Sequence, residues 1–295
     1  MVKKPKIELF VIFGITIILS NSVLAANDLG SASTLHARPT LYDKIVEKAA
    51  LSYFGIYRGG GLNDLGNSAN PTVSGNPDPT SPQGIENLIT TGYKLDQNRM
   101  IGVITHFSYY PFLSPQGSDR RFQMLDPILM LSQANIINKK GFKLSTRLNI
   151  FLPLSKDDIL LQQNLAAAIS PTLILNYDVP GSSLSLGIYS YLRGYIPTQN
   201  SAVNALSYKI YVAPNASYQI SKTVAATLWV DVIQAVRTQN TGFISGIQNT
   251  PVDIEPGINW DITKNISINP IINIYPGNPT LAATSLQAII IAKAF

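Results

Sequence analysis

The residues able to do chemistry in this chain are few, because it carries two histidines and no cysteine. His106 stands two positions before Ser108 in Thr105-His106-Phe107-Ser108. Residues two apart on a β-strand share a face, so an imidazole there can activate a serine hydroxyl as a nucleophile. No acidic or amide residue follows nearby to orient the ring, and alternation sets His106 beside Ile104 on an inward face. A histidine facing an interior is the first reading, and hydrolysis by His106 and Ser108 is the minor alternative. Asp64 and Asp78 lack the regular spacing of a calcium loop, and phosphate loops and zinc motifs are absent. Neither a metal nor a cofactor is expected.

The second group of candidates is charged. Lys143, Arg147, Arg193, Lys209 and Arg237 are basic, and Asp126, Asp178, Asp231, Asp253, Glu255 and Asp261 are acidic. All fall on the polar side of an alternating pattern. Cations dominate between residues 142 and 210, anions between 252 and 262. If these faces enclose water, they form opposed charged walls, which set a transverse field and orient dipolar solutes. If they pair, they merely fill an interior.

The elements that must position these residues have a period of two. In Phe142 to Leu154, Phe142, Leu144, Thr146, Leu148, Ile150 and Leu152 share one face, opposite Lys143, Ser145, Arg147, Asn149 and Phe151. Leu184, Leu186, Ile188, Leu192 and Ile196 alternate with Ser185, Gly187, Tyr189, Tyr191, Arg193 and Tyr195. Val252, Ile254, Pro256, Ile258, Trp260 and Ile262 alternate with Asp253, Glu255, Gly257, Asn259 and Asp261. The segments run to about ten residues or more, longer than the 5–6 of an ordinary globular strand.

Short turns fall at 96–98, 138–141, 180–183, 221–223 and 263–265, and longer polar loops at about 59–84, 111–120, 153–163, 197–206, 238–250 and 276–281. Five turns and six loops join twelve strands. Tyr93, Tyr177, Tyr218 and Trp260 each lie on the apolar face just before a tight turn, and Phe295 ends the twelfth strand at the same level. Large aromatic residues at one height form a girdle where a bilayer meets water. Pro127, Pro171, Pro214 and Pro256 recur every 42–44 residues, one per hairpin, and each is expected to break a ladder locally.

Composition agrees with a membrane setting. Charged residues make up 13% of the chain, against about 25% in soluble domains, yet no later stretch approaches 18 consecutive apolar residues. Lipid admits helices and closed barrels alone, since backbone polar groups must be satisfied internally. Residues 1–25 read as a cleaved signal peptide: Lys3, Lys4 and Lys6 precede the apolar run Leu9–Leu19, and small residues around Ala25 and Ala26 follow. Removing the leader leaves 19 basic and 16 acidic residues, a net +3 that suggests no nucleic-acid partner. Residues 26–48 are expected to plug the lumen or hang in the periplasm, and Thr40 can cap a short amphipathic helix through Leu41, Ile45, Val46 and Ala49. Residues 49–295 are the barrel.

The ending Ala288-Ile289-Ile290-Ile291-Ala292-Lys293-Ala294-Phe295 resembles that of bacterial outer-membrane β-barrel proteins of the porin-like class. The match lies in terminal Phe295 with Ile291 and Ile289 at alternate positions. It departs at Lys293, read as reaching toward lipid headgroups. The resemblance covers 49–295 as architecture. It implies an all-β, antiparallel up-and-down transmembrane barrel in the bacterial outer membrane, with short periplasmic turns and longer extracellular loops. It further implies contact with outer-membrane lipids and lipopolysaccharide, and recognition of the last strand by the barrel-insertion machinery. The His-x-Ser spacing is also seen in outer-membrane phospholipase and lipid A deacylase. The expected function is a porin-type channel passing small hydrophilic solutes by passive diffusion, not an enzyme. A structural or surface-presenting barrel without conductance is the alternative.

Overall fold

The computed structural model describes residues 47–65, 69–72, 74, 77–110, 122–201, 205–238, 247–249 and 252–294. The leader at 1–25, the helix expected from Thr40, the calcium candidate's partner loop around 75–76 and Phe295 lie outside these residues.

Twelve antiparallel strands close on themselves. They are β1 (Ala49–Gly61), β2 (Gly84–Lys94), β3 (Arg99–Tyr109), β4 (Ile128–Lys139), β5 (Phe142–Phe151) and β6 (Leu165–Asp178). There follow β7 (Leu184–Pro197), β8 (Leu206–Gln219), β9 (Val224–Asp231, continued by Ile233–Thr238), β10 (Asp253–Thr263), β11 (Ile266–Asn273) and β12 (Ser285–Lys293). Each strand pairs with its sequence neighbours, and β12 returns to β1 from Ser52↔Lys293 to Arg58↔Gln287. The closure leaves no free edge, which is how a β structure satisfies every backbone group without water. All five tight turns lie at one rim with Ala49 and Lys293, and the long connections lie at the other.

Pairing fixes which parity faces in. Arg58, Glu86 and His106 touch one another from β1, β2 and β3, so even positions face inward there. Inward parity is also even on β4 and β6, and odd on β5, β7, β8, β10 and β11. The opposite face carries Val103, Leu131, Leu173, Ile188, Leu192 and Ile258, all exposed large apolar residues. A water-soluble protein buries such residues; here they form the outside of the wall. Inside, the apolar residues Ile104, Ile128, Met130, Phe151, Leu160 and Tyr195 form a small core beneath the long-loop rim.

Four expectations require correction. Ile289, Ile291 and Lys293 face the lumen, because β12 pairs Gln287 with the inward Arg58; the outward residues are Leu286, Ala288, Ile290 and Ala292, so Lys293 does not reach outward to lipid. Pro127 precedes β4 rather than lying in it, and Pro214 and Pro256 pair without a break with Ile188 and Leu228, whereas Pro171 does break its ladder with β7: pairing skips from Tyr191↔Thr172 to Gly194↔Ile169. Gly59 to Gly61 end β1 instead of opening the loop. Within 153–163 stands a short helix, α1 (Ile159–Gln162), capped by the Asp158 side chain accepting from the Ile159 N–H.

Two glycines answer specific needs. Gly55 has no side chain because the Tyr53 ring lies across it on the outer wall to donate a hydrogen bond to Asn87 Oδ1, 2.7 Å away. The β4–β5 turn has Lys140 at φ 53° and Gly141 at φ 84°, the double positive φ of a tight hairpin turn. A Cβ on Gly141 would stand 2.5 Å from the Asp178 carbonyl oxygen of β6. Gly141→Ala is therefore expected to lower stability by about 1–3 kcal/mol, the usual cost of forcing a side chain into such a conformation. Urea unfolding of the reconstituted protein measures it, and Ser183→Ala in the β6–β7 turn serves as a neutral comparison.

Candidate functional site: the charged lumen wall

Lumen-facing charges are sorted by strand. Arg147 on β5, Arg193 on β7 and Lys209 on β8 make one wall, with Arg193 directly opposite Lys209 in the ladder. Asp231 on β9 and Asp253, Glu255 and Asp261 on β10 make the next, with Asp231 directly opposite Asp253. Like charges placed opposite each other oppose strand pairing, so each wall needs other support. The acidic wall has it from neutral donors. Tyr211 donates its hydroxyl to Asp231 Oδ1 at 2.5 Å. Asn273 donates to Asp253 Oδ2 at 2.9 Å and Glu255 Oε1 at 3.2 Å, and Asn259 donates to Asp261 Oδ1 at 3.1 Å.

Aromatic side chains lie between the walls. The Arg193 guanidinium stacks on Phe151 at 4.0 Å and lies 5.4 Å from the Tyr191 ring. Tyr191 stacks on Tyr211 at 5.1 Å, and Tyr189 meets Tyr191, Tyr211 and Trp229 edge-on. The alternation places these rings inward, but their mutual stacking depends on cross-strand register, which the sequence does not display. Across the barrel, Glu86 joins Arg58 (2.6 Å) to His106 Nε2 (2.8 Å). Arg58 is the one charge of β1, and Glu86 shares β2 only with Lys94 at its far end, so neither stood in a charged run that the sequence would single out.

His106 and Ser108 share the inward face, as their spacing requires. Glu86 supplies the orienting carboxylate that the local sequence lacks, from the neighbouring strand. Yet the imidazole makes no hydrogen bond to Ser108, and His106 Nδ1 has no partner among the described residues. The contact by which a base activates a nucleophile is not formed. Lys143 keeps the inward parity of β5 and pairs with Asp178 at 2.6 Å near the tight-turn rim.

Two candidates change position. Arg237 pairs in register with the outward Tyr208, whereas Lys209 meets Val236. The cause is Val232, an extra residue between the two halves of β9 whose N–H reaches the Val212 carbonyl; one inserted residue reverses every later position. The Arg237 side chain lies outside the described residues. Asp126 lines no lumen: it is fully buried between loops, where its Oδ1 accepts from the Leu154 and Ser155 N–H groups at 3.0 and 2.9 Å. Its own N–H donates to Asp158 Oδ2 at 2.8 Å. This clasps the segment just before β4 to the connection containing α1.

Four girdle candidates, Tyr93, Tyr177, Tyr218 and Trp260, stand near the tight-turn rim and face outward, and Phe295 lies outside the described residues. Tyr218 and Trp260 are half exposed, at 54% and 51%. Tyr93 carries Lys48 over its ring at 5.6 Å, and Tyr177 stacks on Phe142 at 4.3 Å, which adds Phe142 to the aromatics at this rim.

No family model matches the chain, and no curated protein matches it in sequence. Among solved structures, an outer membrane channel from Pseudomonas putida F1 superposes with a TM-score of 0.54 at 9% identity, covering 90% of this chain and 100% of that one. OmpF from Salmonella typhi gives 0.42 at 9% identity, covering 86% and 99%. An active-site variant of outer membrane phospholipase A from Escherichia coli gives 0.38 at 10%, covering 90% and 95%. The first likeness shows the fold, a closed twelve-stranded antiparallel barrel.

The loop clasp responds to pH in a direction set by burial. Burial pushes the Asp126 carboxyl above its ordinary value, and the Asp158 carboxylate adds to this, against the N–H groups of Ser155 and Leu154 and the charge of His106. A raised folded-state value means that the clasp is strongest with Asp126 protonated, and weakens as pH rises through that value. Exchange protection of the Leu154 and Ser155 amides, corrected for intrinsic rates, should fall from pH 4 to pH 8. Asp126→Asn, which keeps the acceptor oxygen without the charge, should make the protection independent of pH.

Proposed function

We propose that the chain is an outer-membrane channel through which small hydrophilic solutes pass by diffusion, exported by cleavage of residues 1–25. The observation that carries this reading is the sorting of lumen charge. Among the described residues Arg147, Arg193 and Lys209 make no ion pair with Asp253 or Glu255, although those acids lie on β10, two strands from Lys209. Side chains that merely filled a barrel would pair across the seam, because an unpaired charge away from water costs several kcal/mol. Arg58 and Glu86, though hydrogen-bonded, keep 37% and 26% of their side-chain surface accessible, which fits a watered lumen. A transverse field of this kind orients dipolar solutes and raises the entry of charged ones.

The membrane part of the reading rests on the exposed apolar exterior with aromatics near one rim. The alternation of apolar outward and polar inward residues is that of barrels in lipid. Trp260→Arg, at the girdle, should cost about 0–1 kcal/mol, and Ile188→Arg, four residues above the Leu184↔Tyr218 pair, about 2–4 kcal/mol. Urea unfolding from lipid vesicles compares them, and equal penalties would contradict the membrane placement.

Conduction is tested in a planar bilayer. The folded protein should show stepwise current at moderate voltage, and Asp253→Asn with Glu255→Gln should shift the reversal potential toward anion preference. A folded barrel silent at every voltage and pH would leave the non-conducting structural reading in its place.

A further inference from the structure

We infer that Arg147, Arg193 and Lys209 form a binding site for a divalent oxyanion, a phosphate or a short dicarboxylate. The inference deepens the channel reading by naming the solute class, and it rests on that reading for the route by which the ion arrives. Three cations on β5, β7 and β8 face the same space. Arg193 and Lys209 are direct cross-strand partners, and Arg147 joins the adjacent row through Thr172 and Tyr191. Such a grouping is unfavourable unless something neutralises it.

Among the described residues no carboxylate forms an ion pair with these three cations. Two other lumen cations do have carboxylates, Arg58 with Glu86 and Lys143 with Asp178. The neighbouring acids are turned to Tyr211 and Asn273 instead. Behind the cations the polar atoms also lack partners: Arg147 Nε, Arg193 Nε, Asn149 Oδ1 and the fully buried Ser170 Oγ make no hydrogen bond among the described residues. Phe151 covers one face of the Arg193 guanidinium. Stacking uses the face of that planar group and leaves its N–H edge free, the geometry in which arginine takes an oxyanion through two parallel hydrogen bonds. Lys209 then adds a point charge beside it, and Arg147 a second guanidinium. A monovalent anion leaves most of the excess charge uncompensated, so the site favours a dianion.

The test is titration calorimetry on the folded protein in detergent at low salt, with inorganic phosphate and succinate as probes and acetate as the monovalent control. Wild type should bind one phosphate or one succinate per barrel, at least tenfold more tightly than acetate. Which of the two binds more tightly identifies the source. Arg193→Gln and Lys209→Gln should each weaken binding at least tenfold, while Lys143→Gln, outside the site, should leave it unchanged.

A second measurement separates the site from a structural role. Since each substitution relieves repulsion, Lys209→Gln should hold or raise the urea midpoint while affinity falls; a midpoint that falls together with binding would overturn the assignment. So would a wild-type protein that binds neither probe, or Arg193→Gln binding as tightly as wild type. Bilayer recordings keep the two readings apart. A protein that binds phosphate without conducting overturns the channel and keeps the site. One that conducts with no phosphate binding overturns the site and keeps the channel.

Discussion

Everything in this molecule depends on the pairing of β12 with β1. A sheet of twelve strands left open exposes two rows of unsatisfied N–H and C=O groups, and in lipid each such group costs several kcal/mol. The ladder from Ser52↔Lys293 to Arg58↔Gln287 removes both rows together. Once the sheet is closed, every strand has an inside and an outside. Alternate residues then follow without further instruction, which is why exposed Leu192 stands one position from inward Arg193, and exposed Leu173 pairs with Thr146, the residue before inward Arg147.

Closure also makes parity a global property, and the departures from regular pairing show how it is managed. Two irregularities carry consequences. In β4, pairing slips between Gln133↔Thr146 and Ile137↔Leu144; the slip spans two residues, so inward and outward are preserved, and Asn135 takes a positive φ to accommodate it. In β9 a single residue, Val232, is inserted, and the upper half of the strand reverses. An even slip changes local twist; an odd one changes which residues meet the lumen.

Charge follows from the same geometry. Adjacent strands carrying cations on the inward parity put those cations side by side, and the same holds for the acids of β9 and β10. What prevents collapse into ion pairs is hydrogen bonding from neutral groups: Tyr211 holds Asp231 at the seam, and Asn273 spans Asp253 and Glu255. The interior is therefore polarised across its width rather than neutral throughout. Under the long-loop rim lies the apolar cluster around Ile104 and Leu160, with the Asp126 clasp holding the start of β4 to the connection containing α1.

The sequence by itself determined the strands, their number, the two rims and the membership of most faces. Period-two alternation over ten or more residues has a single local meaning, and tight turns such as Lys140-Gly141 punctuate it. Lys143, Arg147, Arg193, Lys209, Asp253 and Glu255 were legible as one face for that reason. Tertiary structure decided what pairing between distant strands decides. It set the inward parity of β12, which an ending read alone assigned the other way, and it displaced Arg237 by one inserted residue that no local pattern marks. It brought Glu86 to His106 from another strand, and it took Asp126 out of the lumen group and into a contact with Asp158, 32 residues away. Alternation is a property of one strand, whereas register is a property of two, and only the folded barrel fixes the second.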